Sequence, residues 1–246
     1  MAVVSDFGIS ERNQFQLHSQ LWEELSAGDN ELTPPNPQIF DIGANRGQSL
    51  AEYGSQFPQA SVHCFEPNPG LTEYIQKVAD ELNGVHTTIF PIALGPENGS
   101  AQFNEFSDDG VSSFLEPEDF LAPLNTESWV LDSSDSVQIK TIDGMVNEIG
   151  SCPDILKIDT QGFDLEVLKG GINALREGNI SIIGVECYFA KNYKGQSYFW
   201  DIAKFLMTYN YHFHSFTRLV ETRGGNIYFG DATFISDKAW KKLGLF

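Results

Sequence analysis

From Gln38 onward, short apolar runs alternate with stretches whose apolar residues recur at helical spacing. The runs predict strands at Gln38–Ile42, Ser61–Phe65, Thr87–Ile92, Asp154–Ile158, Ile180–Glu186, Tyr211–Phe216 and Asn226–Ile235. The stretches between them predict helices at Gln48–Phe57, Gly70–Leu82, Ile142–Ile149, Phe163–Lys169 with a continuation to Arg176, and Ser197–Tyr209. In the last of these, Phe199, Ile202, Ala203 and Leu206 form one apolar stripe. Such β/α alternation implies a doubly wound α/β domain with a mostly parallel seven-stranded sheet and helices on both faces. The last two strands have no helix between them, so they form an antiparallel pair turned by Arg223-Gly224-Gly225-Asn226. Ahead of the domain, Leu17, Leu21, Trp22 and Leu25 predict a helical extension over residues 1–37, ended by Pro34, Pro35 and Pro37. The domain proper then covers 38–246.

One segment breaks the rhythm. Residues 104–136 are acidic, contain Pro117 and Pro123, and carry Phe114, Leu115, Phe120, Leu121, Trp129 and Val130. A connection of this length inside a domain is usually functional, and its aromatic content favours a lid-like insertion facing substrate.

Composition narrows the partners. The formal charge is −19, from 15 Lys+Arg against 34 Asp+Glu. Nucleic acid and anionic membrane both call for a basic face, and the longest basic run is Lys241-Lys242. The scattered cysteines Cys64, Cys152 and Cys187 suggest neither a disulfide framework nor a zinc cage, and point to a cytoplasmic protein. The opening MAVVSDFGISERN lacks the apolar core of a signal peptide, and no apolar run reaches the ~20 residues of a membrane span. Outside a secretory context the Asn98 and Asn179 glycosylation patterns stay idle.

The chemistry concentrates where strands end. Asp41, Glu66, Asp159 and Glu186 fall at the carboxyl ends of four predicted parallel strands. Ligands of open α/β sheets bind there, and four acids on one rim favour a cationic or hydroxyl-rich ligand. Between Ile42 and Gln48, Gly43 permits a sharp turn out of the strand, and Gly47 is expected to let ligand approach the backbone as the helix begins. The helix start attracts an anion. The G-x-G-x-x-G pattern of dinucleotide binding is absent, because Asn45 takes the place of its middle glycine. S-adenosyl-L-methionine (AdoMet) offers a carboxylate for the helix start, a ribose diol for Glu66, an adenine and a positive sulfonium.

The blocks IFDIGANRGQS, HCFEPNP, PIALG, Val111-Ser112-Ser113, TIDGMV, DILKIDTQGFDLEVLKGG, IIGVE and GDATFIS, in this order over Gln38 to Ser236, resemble the FkbM-type methyltransferases. The resemblance implies a Rossmann-like class I fold, AdoMet as cofactor and, most commonly, methylation of a hydroxyl on a secondary metabolite or sugar. By position, Asp41, Gly43, Asn45 and Gly47 would line the methionine end. Glu66, followed by Pro67, would hold the ribose. Ala93 and Leu94 would flank the adenine, and Asp159 would sit beside the methyl group. The chain departs from the family's frequent D-x-E-G by placing Gln161 in Asp159-Thr160-Gln161-Gly162, and glutamine cannot act as a base.

An aliphatic hydroxyl hardly ionises at neutral pH, so a base or a metal is expected. Asp159 is the first candidate. Glu186 and His212 are further catalytic candidates, with His214 on the same strand face as His212. Tyr188, Tyr193 and Trp200 are candidates to line the acceptor pocket. Asp164 is read as the favourable acid of a helix start. No His/Cys cluster assigns a metal; a hard-cation site from Asp159 and Glu186 is left open. The rivals are an AdoMet- or partner-binding protein without catalysis, supported by Gln161, and an NAD(P)-dependent oxidoreductase. The latter lacks both the middle glycine and any Tyr-x-x-x-Lys.

Overall fold

The computed structural model describes residues 13–27, 36–119, 127–222 and 224–245. Pro34, Pro35, Phe120, Leu121, Pro123 and Arg223 lie outside them.

The chain runs α1 (Gln14–Ser26), β1 (Gln38–Ile42), α2 (Gln48–Gln56), β2 (Ser61–Phe65), α3 (Pro69–Glu81), β3 (His86–Phe90), β4 (Ala93–Leu94), β5 (Gly99–Phe106), β6 (Leu131–Lys140), α4 (Ile142–Ile149) and β7 (Ile155–Ile158). It continues with α5 (Asp164–Lys169), α6 (Ile172–Glu177), β8 (Ile182–Tyr188), α7 (Phe199–Thr208), β9 (Tyr211–Glu221), β10 (Ile227–Ser236) and α8 (Asp237–Lys242). The main sheet has seven strands in the order β3-β2-β1-β7-β8-β10-β9. The first five of these pair in parallel, and β10 is antiparallel to both β8 and β9. This is the doubly wound sheet that the apolar pattern predicts.

The two-residue period of a strand explains the layering. On one face, Ile39, Val62, Ile155, Ile182 and Ile235 pack against Leu21, Trp22 and Leu25 of α1, Leu50 and Tyr53 of α2, and Ile75 of α3. Their neighbours Phe40, Phe65, Leu156, Ile158, Ile183 and Val185 point the other way. There they meet α4, α5, α6 and α7 through Met145, Val167, Leu175, Ile202 and Leu206. Each fully buried aliphatic side chain contributes about 1.5–3 kcal/mol relative to exposure. Helix α1 is therefore part of the core layer, closed at its start by a capping box between Asn13 and Gln16.

The predicted continuous helix from Phe163 to Arg176 is two helices, broken at Gly170-Gly171. The two ends of the segment expected to be a lid are strand, at 104–106 and 131–136. β5 and β6 pair antiparallel and β4 joins β6, making a separate three-stranded sheet. Its small cluster of Ala93, Phe103, Val137 and Ile139, with Phe114 against it, sits over the carboxyl end of the main sheet.

Candidate active site

A cavity of about 550 Å³ opens at the carboxyl edge of the parallel strands. Ile42 to Asn45, Phe65 to Asn68, Ala93, Leu94 and Asp159 to Gln161 line it, with Phe103, Asp109, Ser112 and Phe114 from the hairpin side. Asn13, Gln14 and Phe15 at the start of α1, and Thr217, Arg218 and Asp231 on β9 and β10, complete it.

The loops explain how the acids converge. After β1, the amides of Gly43 and Ala44 donate to Phe65 O at 3.0 and 3.2 Å, tying this loop to the end of β2. Gly43 adopts φ +76°, and a Cβ there would lie 1.9 Å from the carbonyl oxygen of Asp159, so this position accepts only glycine. Glu66 follows β2. Its Oε2 accepts from the Asn45 amide at 2.8 Å and its Oε1 from the Asn68 amide at 2.9 Å. Burial pushes the Glu66 carboxyl up to about 7, against the pull of those amides and of Lys157.

Asp159 follows β7 and is about a third exposed, at 35%. Its Oδ1 accepts from Gln161 Nε2 at 2.8 Å, and its Oδ2 lies 3.8 Å from Lys157 Nζ. Glu186, inside β8, accepts from the same Gln161 Nε2 at 2.9 Å and lies 3.0 Å from the Tyr188 hydroxyl. Burial holds its carboxyl well above the usual range, and the nearby acids Asp159, Asp231 and Asp164 raise it further against Arg218. Asp164 starts α5 and holds the preceding loop through the Thr160 amide, the Thr160 hydroxyl and the Gly162 amide, at 2.9, 3.1 and 3.1 Å. Burial lifts its carboxyl to about 6.

The geometry moves other candidates away from the cavity wall. Asp41 is fully buried on the α1–α2 face; its Oδ1 meets Lys157 Nζ at 3.1 Å. It therefore stands behind the cavity and acts on it through Lys157. Gly47 caps α2 at φ +86° and faces Ile75 and Val78 of α3, so its need for glycine comes from helix packing and not from ligand approach. His212 stands in register with Ile235, which pairs with Ile182 at the opposite end of β8 from Glu186. Its ring stacks on Trp240 and bonds Asp237 at 3.3 Å, far from the carboxyl edge. His214 bonds Ser215 at 2.9 Å and does not line the cavity either. Trp200 is 65% exposed on α7, edge-on to Phe189 and Phe199. Tyr188 and Tyr193 sit behind Gln161, both donating toward its carbonyl oxygen.

Three residues that sequence reasoning passed over belong to the site. Lys157 interrupts an otherwise apolar strand and lies at the cavity floor, donating to Gly43 O at 3.0 Å. A lone cation in such a run is the signal that was there to find. Arg218 and Asp231 come from the antiparallel pair. Register places Glu186, Asp231 and Arg218 side by side across three adjacent strands. Arg218 lies 3.5 Å from Glu186 and 3.6 Å from Asp231, with its guanidinium over the Phe229 ring. Burial pushes Asp231 up to about 6. Among the described residues, no group of three or more His, Cys, Asp or Glu side chains is placed to hold a metal ion.

Comparison with known proteins places this arrangement. Residues 41–213 match the methyltransferase FkbM domain. A 2-O-methyltransferase, NoeI, from Sinorhizobium fredii is 28% identical over 153 residues, 58% of this chain and 61% of the relative. A hexuronic acid methyltransferase, AglP, from Haloferax volcanii is 29% identical over 150 residues, 60% of this chain and 55% of the relative. The aligned part thus spans about three fifths of these relatives, 61% and 55%. A crystal structure of a methyltransferase FkbM from Methylobacillus flagellatus shares the fold, with TM-score 0.53 and 17% identity over 81% of this chain and 44% of that one. The match extends from Asp41 through the glycine loop, Glu66 and the Asp159 block, and the chain belongs to the FkbM methyltransferase family.

Proposed function

We propose that the protein is an AdoMet-dependent O-methyltransferase acting on a hydroxyl of a small molecule, a sugar or a secondary metabolite, in the cytoplasm. The observation that carries this reading is the single cavity joining Glu66 to Asp159 along the carboxyl edge. The residues present fit the cofactor. Each Glu66 oxygen accepts one backbone amide and keeps a lone pair for a ribose hydroxyl. Leu71, Ala93, Leu94 and Phe103 offer an apolar slot for adenine. The start of α2, with Gln48 and Ser49 on the cavity wall, suits the carboxylate of the methionine part. Bound AdoMet supplies an electrophilic methyl group.

The chain's own groups do the rest. Asp159 Oδ2 is the oxygen that takes the proton from the acceptor hydroxyl, while Gln161 fixes Oδ1. Aligning that hydroxyl with the methyl carbon accounts for several kcal/mol of the barrier. Thr217, Arg218 and Asp231 form the far end of the cavity and are assigned to the acceptor. The 2-O-methyltransferase supports an oxygen as the target, and the hexuronic acid methyltransferase supports a sugar acid as the acceptor class. The free thiols of Cys64, Cys152 and Cys187 support a reducing compartment. Among the described residues no helix is long and apolar enough to cross a membrane.

Calorimetry with AdoMet between pH 6 and 8 tests the reading. Ribose hydroxyls donate to the charged form of Glu66, so affinity should rise with pH as this carboxyl ionises near 7. Glu66→Ala should weaken binding by about 10- to 100-fold, the worth of hydrogen bonds to a charged group, and flatten the pH dependence. No binding by the wild type at pH 8 would refute the proposal.

A further inference from the structure

The side chain of Gln161 stands between Asp159 and Glu186. Its Nε2 donates to Asp159 Oδ1 at 2.8 Å and to Glu186 Oε2 at 2.9 Å. Its Oε1 accepts from the hydroxyls of Tyr188 and Tyr193 at 2.8 and 3.1 Å. Carboxylates accept and the tyrosine hydroxyls can donate, so this orientation of the amide serves all four contacts, with the Tyr188 proton shared with Glu186 Oε2 and the Tyr193 proton shared with the Val111 carbonyl. The backbone is held too. Gln161 adopts φ +53°, and its carbonyl accepts from Ser113 Oγ at 2.9 Å.

Two carboxylates turned toward one point, Asp159 just past the end of β7 and Glu186 within the adjacent β8, form the start of a hard-cation site. Here that point is filled by an NH₂ group without charge. We infer that the Gln161 carboxamide occupies the place of a divalent cation, so that this site works without a metal and Gln161 is the positioning residue for Asp159. The amide spans the two acids and supplies donors to both. It leaves Asp159 Oδ2 toward Lys157 and the cavity. A bound cation would instead draw both carboxylates onto itself and remove Asp159 as a proton acceptor.

Titration of the full chain with manganese(II), followed by electron paramagnetic resonance, tests this without an acceptor. The wild type should show no Mn²⁺ site that Asp159→Asn removes. Gln161→Glu, which puts a third carboxylate at the same point, should gain one. A wild-type Mn²⁺ site lost in Asp159→Asn overturns the inference, and so does a folded Gln161→Glu that gains none. If circular dichroism shows Gln161→Glu unfolded, the wild type against Asp159→Asn decides alone. The kinetic arm rests on the methyltransferase reading. There EDTA should leave wild-type turnover unchanged, and Gln161→Ala should lower kcat about 100-fold with AdoMet binding retained. Gln161→Glu should recover rate only with Mn²⁺ present. Failure to bind AdoMet would sink the functional reading and leave the Mn²⁺ result standing, so the two failures are distinguishable.

Discussion

Lys157 is a cation inside a strand whose other residues are isoleucine and leucine. Its side chain is 4% exposed and meets Asp41 Oδ1 at 3.1 Å. Burial alone would lower its pKa, but the charges of Asp41 and Asp159 outweigh that and leave it raised. Asp41 shifts up, because burial exceeds the pull of Lys157. The charged form is the one the geometry supports, since Nζ is surrounded by two carboxylates and the Gly43 carbonyl. Lys157→Met would leave Asp41 buried without a counter-charge, which costs about 3–5 kcal/mol. Urea unfolding should show that loss, and Lys157→Met/Asp41→Asn should recover most of it; a single variant as stable as the wild type would contradict the argument. At this scale the strand-end acids were legible because a polar residue closing an apolar run stands out. Lys157 carried the same kind of signal, a lone cation in an apolar run, but its main partner Asp41 lies on another strand, and Arg218 was not legible because its partners Glu186 and Asp231 lie on other strands as well. His212 misled because alternation fixes a face of the sheet but not an end of it.

Helix α1 shows the same contrast between elements. Its apolar spacing was readable, but the reason it docks where it does lies in one polar residue. His18 is fully buried and joins the Tyr53 hydroxyl of α2 at 2.9 Å to Thr233 Oγ1 of β10 at 3.2 Å. Burial, with His214 nearby, pushes its pKa from 6.5 to about 3. The ring is thus neutral in the folded protein and protonates first in the unfolded chain. Stability from this group is present above pH 6.5 and is lost as pH falls toward 3. At pH 4 the loss is about 3 kcal/mol. Urea midpoints of wild type and His18→Gln at pH 7 and pH 4 should show this component in the wild type and its absence in the variant. Equal pH dependence in both would assign the titration elsewhere. The parallel strands were legible because both faces are buried and each reads as an apolar run. Strands β5 and β6 were not. Most of their residues are polar and half are exposed, so the hairpin read as a loop.

At the scale of the molecule, alternation of elements was enough to give a doubly wound sheet, but it could not give the strand order that puts β7 beside β1 and β10 between β8 and β9. That order assembles the cavity. It sets Glu66, at the end of β2, and Asp159, at the end of β7, on either side of the loop after β1, and brings Asp231 and Arg218 to the far end. A ligand lying from Glu66 to Asp159 therefore bridges strands on both sides of β1 and stabilises the sheet as a unit. With AdoMet as that ligand, a positive sulfonium would lie on an acidic rim in a chain of formal charge −19. A ligand at about 100 times its dissociation constant adds about 2.7 kcal/mol to the folded state. For a chain of this size that raises Tm by about 5–10 °C. Differential scanning fluorimetry at pH 8 should show this shift with AdoMet and a much smaller one for Glu66→Ala. NADH at the same concentration should leave the wild-type midpoint unchanged, because Asn45 stands where the pyrophosphate of a dinucleotide needs a glycine. A shift with NADH and none with AdoMet would reverse the choice between transferase and oxidoreductase.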